Sequence, residues 1–344
     1  MMGGRGISGL AAIVACLMLA VGAADAKSLF GSSEMLHIII KAPIGALPKV
    51  AATPEKSVAG TLSVVGDRPE TLAITLTLRG LTRRRPDVCA FPPLRVTFPD
   101  KPPAGSLFEG QKKLKLVTHC QSANVYQQYL LLEYAAYRMY NVLTPNSFNV
   151  RLASIDYVDG DGKPITTRLG FFIEAVDDMA KRNDLREFET QTLVPSAKIN
   201  AHDGARFALF QYMIGNLDWS MTAAPKGDDC CHNARLLTQK GKTDNLVPVP
   251  YDFDYSGLVD APYAVPPVAV KLSSVRARYY NGFCRTNAEV PAVAAEFVAR
   301  HGKIRAVLDD ITALDDGKRQ KAANYIDGFF DQLATPEKLI KTCS

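Results

Sequence analysis

The residues predict an α+β fold of two lobes, a β-rich N-terminal lobe followed by a mainly helical C-terminal one. Three observations carry this expectation. Short β-branched runs separated by turn residues fill the first third, one long helical pattern interrupts them, and after Glu174 the period becomes helical. The lobes divide at 27–174 and 175–344, and the junction near residue 174 is the expected place for a ligand cleft.

Taken in order, His37-Ile38-Ile39-Ile40, 61–65 and 72–78 read as strands, the last two alternating, with Gly66-Asp67-Arg68-Pro69 as turn material. Leu94–Phe98 and Leu114–Val117 are two further strand candidates, separated by a loop at Pro102-Pro103-Ala104-Gly105. From Asn124 to Leu143 the chain is rich in Leu, Tyr, Ala, Glu and Met, a long helix that Pro145 ends. Strands resume at 149–152, 155–158 and 168–173, and Asp159-Gly160-Asp161-Gly162 is a hairpin signal. Helices are expected near 203–217, 288–311 and 316–335.

The N-terminus reads as a cleavable secretory signal, residues 1–26. Arg5 supplies its positive charge, an apolar stretch runs from Ile7 to Ala24, and Ala24-Asp25-Ala26 offers the small-x-small cleavage pattern. Processing as a lipoprotein at Cys16 is disfavoured because the apolar run continues through Leu17-Met18-Leu19. No later segment is apolar for long enough to span a membrane, so an exported protein, periplasmic or extracellular, is expected. The net charge of +5 is mild, and the basic residues are spread out except at Arg83-Arg84-Arg85, so charge by itself suggests no nucleic-acid role.

Export also decides the reading of the cysteines. Without Cys16 six remain, Cys89, Cys120, Cys230, Cys231, Cys284 and Cys343, enough for three disulfides in an oxidising compartment. Cys89 and Cys120 flank two strand-like runs and could bridge them. Cys230 and Cys231 are adjacent and are expected to pair with Cys284 or Cys343 rather than with each other. A zinc site on Cys230-Cys231-His232 is the weaker reading, because zinc ligands are normally spaced by two to four residues.

The most informative window runs from Phe210 to Gly257. It contains Asn216-Leu217-Asp218-Trp219, then Asn233, then Tyr251-Asp252-Phe253-Asp254. This order suits phosphoryl transfer: one carboxylate orients or deprotonates a hydroxyl, while an amide oxygen and a further carboxylate hold Mg²⁺ against phosphates.

The window and much of the chain before it, 78–257, resemble the CotH-type kinases, an atypical protein-kinase-like family named for spore coat protein H. Leu78-Arg79-Gly80 with Pro92–Phe98 resembles that family's Arg-Gly turn and basic strand. Leu107-Phe108-Glu109-Gly110 with Lys113–Leu116 resembles its next strand, and Gly170–Glu174 its element at the lobe junction. Asn216-Leu217-Asp218 and Pro250-Tyr251-Asp252-Phe253-Asp254 are similar to its Asn-x-Asp and Pro-Trp-Asp-x-Asp elements.

The resemblance implies a protein-kinase-like fold and an exported phosphotransferase using Mg²⁺ and ATP on an envelope or secreted acceptor. Asp218 would be the catalytic carboxylate, and Asn233 and Asp252 would hold Mg²⁺ with Asp254 helping. Arg95, Lys113 or Lys115 would contact nucleotide phosphates, Glu133 would position that cation, and the backbone from Ile173 to Val176, around Glu174, would meet the adenine. The chain departs from the family in an insert at 223–231 and in lacking a Gly-rich phosphate loop. Two rivals remain: a catalytically inactive, pseudokinase-like binding scaffold, and a metal-dependent phosphoester hydrolase built on Asp218, Asp252 and Asp254. The tract Arg83-Arg84-Arg85 reads as a solvated turn.

Overall fold

The alternating runs of the first half form seven strands that close on themselves. In this computed structural model, which describes residues 28–47, 56–80, 82–190, 193–226 and 228–340, they are β1 (Leu36–Lys41), β2 (Val58–Val65), β3 (Glu70–Leu78), β4 (Leu94–Thr97), β5 (Lys113–Val117), β6 (Val150–Val158) and β7 (Pro164–Ile173). The signal segment and Cys343 lie outside the described residues. The barrel order is β1-β2-β3-β4-β5-β7-β6. All neighbours are antiparallel except the closing pair, in which β1 runs parallel to β6 from Leu36↔Ala153 to Lys41↔Val158. That pairing satisfies both edges, which an open sheet would have left exposed.

The two-lobed, protein-kinase-like fold class is therefore wrong: the β-rich part is a closed seven-stranded mixed barrel, not an open N-terminal lobe. The barrel interior is set by period two. Leu36, Ile38 and Ile40 of β1, Ile74, Leu76 and Leu78 of β3, Leu94 and Val96 of β4, and Leu114 and Leu116 of β5 point inward and pack with Phe108 and Phe172. The runs at 149–152 and 155–158 are one continuous strand, β6, joined to β7 through the expected hairpin, where Asp159 N–H donates to Lys163 O at 2.8 Å.

Between β5 and β6 comes α1 (Val125–Leu143), which packs against the outside of β6 and β7. Phe172 fills the barrel while its neighbours Phe171 and Ile173 join the cluster that contains α1, so this stretch of β7 is buried on both faces. After β7 come α2 (Val176–Arg182), the short β8 (Arg186–Glu187), α3 (Ala201–Ile214), β9 (Ala234–Thr238) and β10 (Val247–Pro250). The order β10-β9-β8 makes a second, antiparallel sheet. The chain ends in α4 (Val290–Ala299), α5 (His301–Asp309), α6 (Asp316–Gln332) and α7 (Glu337–Ile340). The single helix expected over 288–311 is two, α4 and α5, meeting at Arg300. Among the described residues no helix is long and apolar enough to cross a membrane.

Cys89 and Cys120 are bonded, as their flanking strands suggested. Cys230 and Cys231 are bonded to each other, which overturns the expectation that each would pair with a distant cysteine. Cys284 is disulfide-bonded as well.

Candidate functional site

A cleft of about 510 Å³ opens where the outer faces of β4 and β5 meet the β9–β10 sheet and the loop after α3. Strand parity builds one wall. Leu94, Val96, Leu114 and Leu116 go inward, so Arg95 and Lys115, which lie directly opposite each other in the ladder, go outward into the cleft. Arg79 at the end of β3 and Arg235 on β9 add two more cations. Like charges placed opposite one another are unfavourable by themselves, so such a wall is suited to an anion. Lys115 Nζ sits 4.4 Å above the Tyr251 ring, with Arg235 over the same ring at 5.4 Å. Burial, followed by the Arg79 and Arg235 charges, pushes the Lys115 pKa down to about 7. Lys113 shares the parity of Lys115 but is exposed and does not line the cleft.

The opposite wall carries the carboxylates. Helix α3 stops at Gly215, whose φ of 65° suits a residue without Cβ, and Asn216 then shapes the turn. Its Oδ1 accepts from the Asp218 N–H at 3.0 Å and its carbonyl accepts from Trp219 Nε1 at 2.9 Å. Trp219 is therefore a core anchor, and Asp218 is presented to the cleft. Asp218 Oδ1 lies 2.7 Å from His232 Nε2, and its Oδ2 accepts from Asn233 Nδ2 at 3.0 Å. The hydrogen bond to Asp218 raises the His232 pKa, and the carboxylate charge adds to it against burial. Asn233 and Asp252 both have positive φ, 49° and 63°, a region that Asn and Asp tolerate better than most residues. The backbone N–H of Asp252 donates to the Tyr137 hydroxyl at 2.9 Å, which fixes this turn to α1.

Beneath the cleft, Glu133 of α1, Asp252 and Asp254 bring carboxylate oxygens within 4.8 Å of one another, close enough to hold a metal ion. Arg83 reaches all three: Nη1 is 3.0 Å from Glu133 Oε2, Nη2 is 2.5 Å from Asp252 Oδ1, and Nε is 3.2 Å from Asp254 Oδ2. The solvated turn expected at 83–85 is thus corrected at its first residue, since the Arg83 side chain is 8% exposed. Burial pushes the Glu133 pKa up to about 8 and that of Asp254 up to about 6, each against the pull of Arg83. Burial also opposes ionisation of Asp252, but the Arg83, Arg79 and Lys115 charges outweigh it and hold the pKa below the usual carboxylate value.

Of the residues singled out from the sequence, Arg95, Lys115, Asp218, Asn233, Asp252 and Asp254 line one cleft, and Glu133 lies behind them. Glu174 does not line it. Its buried carboxylate accepts from Arg182 and from the Asn149 N–H, tying α2 to the start of β6. Sequence reasoning passed over Arg79, Arg83, Arg235 and, except as a zinc ligand, His232. Only the Arg-Gly pair at 79–80 carried a signal that could have pointed to one of them. No family model matches the chain, and no curated protein matches it.

Proposed function

We propose that this chain is an exported phosphotransferase that uses Mg²⁺ and ATP to phosphorylate a hydroxyl on a protein or other envelope acceptor. The observation that carries the reading is the meeting, in one cleft, of a basic wall with the Asp218–Asn233–Asp252 set. The resemblance of the 78–257 motifs to the CotH-type kinases supports it in its site residues though not in its fold, and the disulfides fit an exported chain.

In this reading Arg79, Arg95, Lys115 and Arg235 bind the phosphates. Asp252, with one oxygen on Arg83, and Asn233, with its amide nitrogen on Asp218, retain oxygens of the hard type that magnesium prefers. Bound there, Mg²⁺ would offset negative charge on the phosphates. Asp218 accepts the proton of the acceptor hydroxyl as its oxygen attacks the terminal phosphorus and the bond to the leaving phosphate breaks. His232 and Asn233 hold the two Asp218 oxygens in place for that transfer.

The test is a melting experiment on the oxidised protein with Mg²⁺ and ATP together and apart. A ligand at a hundred times its Kd stabilises by about 2.7 kcal/mol, an upward shift of several degrees. With both ligands together the shift is expected to exceed that with either alone, and the excess is expected to be lost in Lys115→Ala. No shift at millimolar ligand rejects the reading. One observation favours the binding-scaffold alternative: a side-chain cation already lies among the triad carboxylates. A ligand-induced shift without any nucleotide turnover would support that alternative.

A further inference from the structure

We propose that the Arg83 guanidinium is the resident cation of the Glu133–Asp252–Asp254 triad, and that a divalent ion reaches only the outer edge of the cluster, at Asp252 and Asn233. The first half stands without any reference to phosphoryl transfer. The second half locates the metal of the function proposed above and rests on that reading.

Three different nitrogens of one guanidinium each meet a different carboxylate, which is the planar fork that arginine, and not lysine, can offer. The arginine is delivered by a fastened loop and not by a swinging arm. Arg79 N–H donates to Pro93 O, Arg85 N–H donates to Thr82 O, and Cys89 N–H donates to Arg85 O. Cys89 is then bonded to Cys120, at the end of the segment that follows β5.

The space left inside the cluster supports the same conclusion. Asp254 is paired with Arg83 and lines the same small space as Tyr263. Glu133 Oε1 is buried without a hydrogen-bond partner. A cavity of about 10 Å³ adjoins it, lined in part by Arg83, Glu133, Asp254 and Tyr263. That volume suits at most one water molecule. Magnesium demands near-octahedral oxygen coordination and normally keeps several waters, so it does not fit there beside the guanidinium. Asp252 differs from its two partners: its side chain is 29% exposed, against 2% for Glu133 and 7% for Asp254, and it faces the cleft with Asn233.

The proposal is tested with Mn²⁺ alone, in the absence of nucleotide, by titration under electron paramagnetic resonance and by melting. Arg83→Met removes the charge while keeping much of the apolar stem. It is expected to melt several degrees below the wild type and to recover when Mn²⁺ enters the emptied triad. Adding Glu133→Gln to Arg83→Met is expected to abolish that recovery. Because Arg83→Met could fail to fold without metal, Glu133→Gln is also made in the otherwise unchanged protein. There it is expected to leave Mn²⁺ affinity unaltered, whereas Asp252→Asn lowers it by about tenfold or more. A wild-type Mn²⁺ affinity that falls about tenfold in Glu133→Gln would mean that the ion displaces Arg83, and would overturn the proposal. An Arg83→Met protein with unchanged melting and no gain of Mn²⁺ binding would overturn it as well. Since no ATP is present, a failed nucleotide test rejects the phosphotransferase reading without touching the assignment of Arg83 to the triad, whereas loss of the Asp252–Asn233 ion site would count against both.

Discussion

Replacing Asp218 or Asp252 by asparagine removes one charge from the same cleft, yet the two variants should differ sharply in stability. The Asp218 side chain is 39% exposed and shares its oxygens with His232 and Asn233. An exposed pair of this kind contributes about 0–1 kcal/mol, and asparagine retains one accepting oxygen. Asp252 instead binds an arginine that is almost fully buried. Losing a hydrogen bond to a charged group costs about 1.5–3 kcal/mol. The upper figures for breaking buried ion pairs do not apply, because Asp254 still pairs with Arg83 and Glu133 still accepts a hydrogen bond from it. At about 2–4 °C per kcal/mol, Asp252→Asn should melt several degrees low and Asp218→Asn within a few degrees of the wild type. Turnover should fall in both, by about a hundredfold or more for Asp218→Asn if it is the general base. Calorimetry and a phosphate-transfer assay on the same preparations decide the matter. Asp218→Asn with wild-type turnover removes Asp218 from the chemistry, and Asp252→Asn with wild-type melting refutes the energetic role given to Arg83. The His232–Asp218 pair adds a pH signature. The folded His232 pKa is raised, so its contribution is fully present below the unfolded value of about 6.5 and is lost as pH rises through the folded value. The small stability gap between wild type and Asp218→Asn should therefore close at alkaline pH.

Anion binding should weaken as pH rises through about 7, where Lys115 loses its charge, and Lys115→Arg should remove that dependence in a phosphate or ATP titration from pH 6 to about 9. A wild-type affinity that stays flat across this range would show that Lys115 does not contact the anion. Replacing Cys89 and Cys120 by serine opens a loop between residues 31 apart in sequence. In the chain-entropy account this costs about 3–4 kcal/mol, visible as a lower melting temperature. Gly215→Ala would place a Cβ 2.0 Å from the Tyr325 hydroxyl at a φ of 65°, and should destabilise by about 1–3 kcal/mol. Removing that hydroxyl with Tyr325→Phe should return part of the loss; no rescue would mean that the φ strain, not the clash, dominates.

How much of this was legible beforehand depends on how far each feature reaches along the chain. Alternation at 72–78 and the Asp-Gly-Asp-Gly turn are local, and both produced the elements they signalled. Barrel closure was not legible, because the β-branched run His37–Ile40 signals a strand but no partner, and the strand that closes the barrel begins more than a hundred residues later. Cys230 and Cys231 were misread for a related reason: counting cysteines supplies candidates for pairing but no geometry. Asp218, Asn233 and Asp252 could be picked out together because an Asn-x-Asp turn, an Asn and an Asp-x-Asp pair follow one another in one window, an order that carries chemical meaning. Arg83 could not. Of three consecutive arginines, the turn Thr82–Arg84 buries the first and leaves Arg85 exposed, paired with Asp87. What draws Arg83 inward is the set of carboxyl groups of Glu133, Asp252 and Asp254, each within reach of a different guanidinium nitrogen and contributed by α1 and by the turn after β10. A buried charge is tolerable only beside its partner. The sequence carries the arginine and the carboxylates far apart, and only the folded chain shows that they meet. The residue that occupies the centre of the acidic cluster was for that reason the one that composition and spacing assigned to solvent.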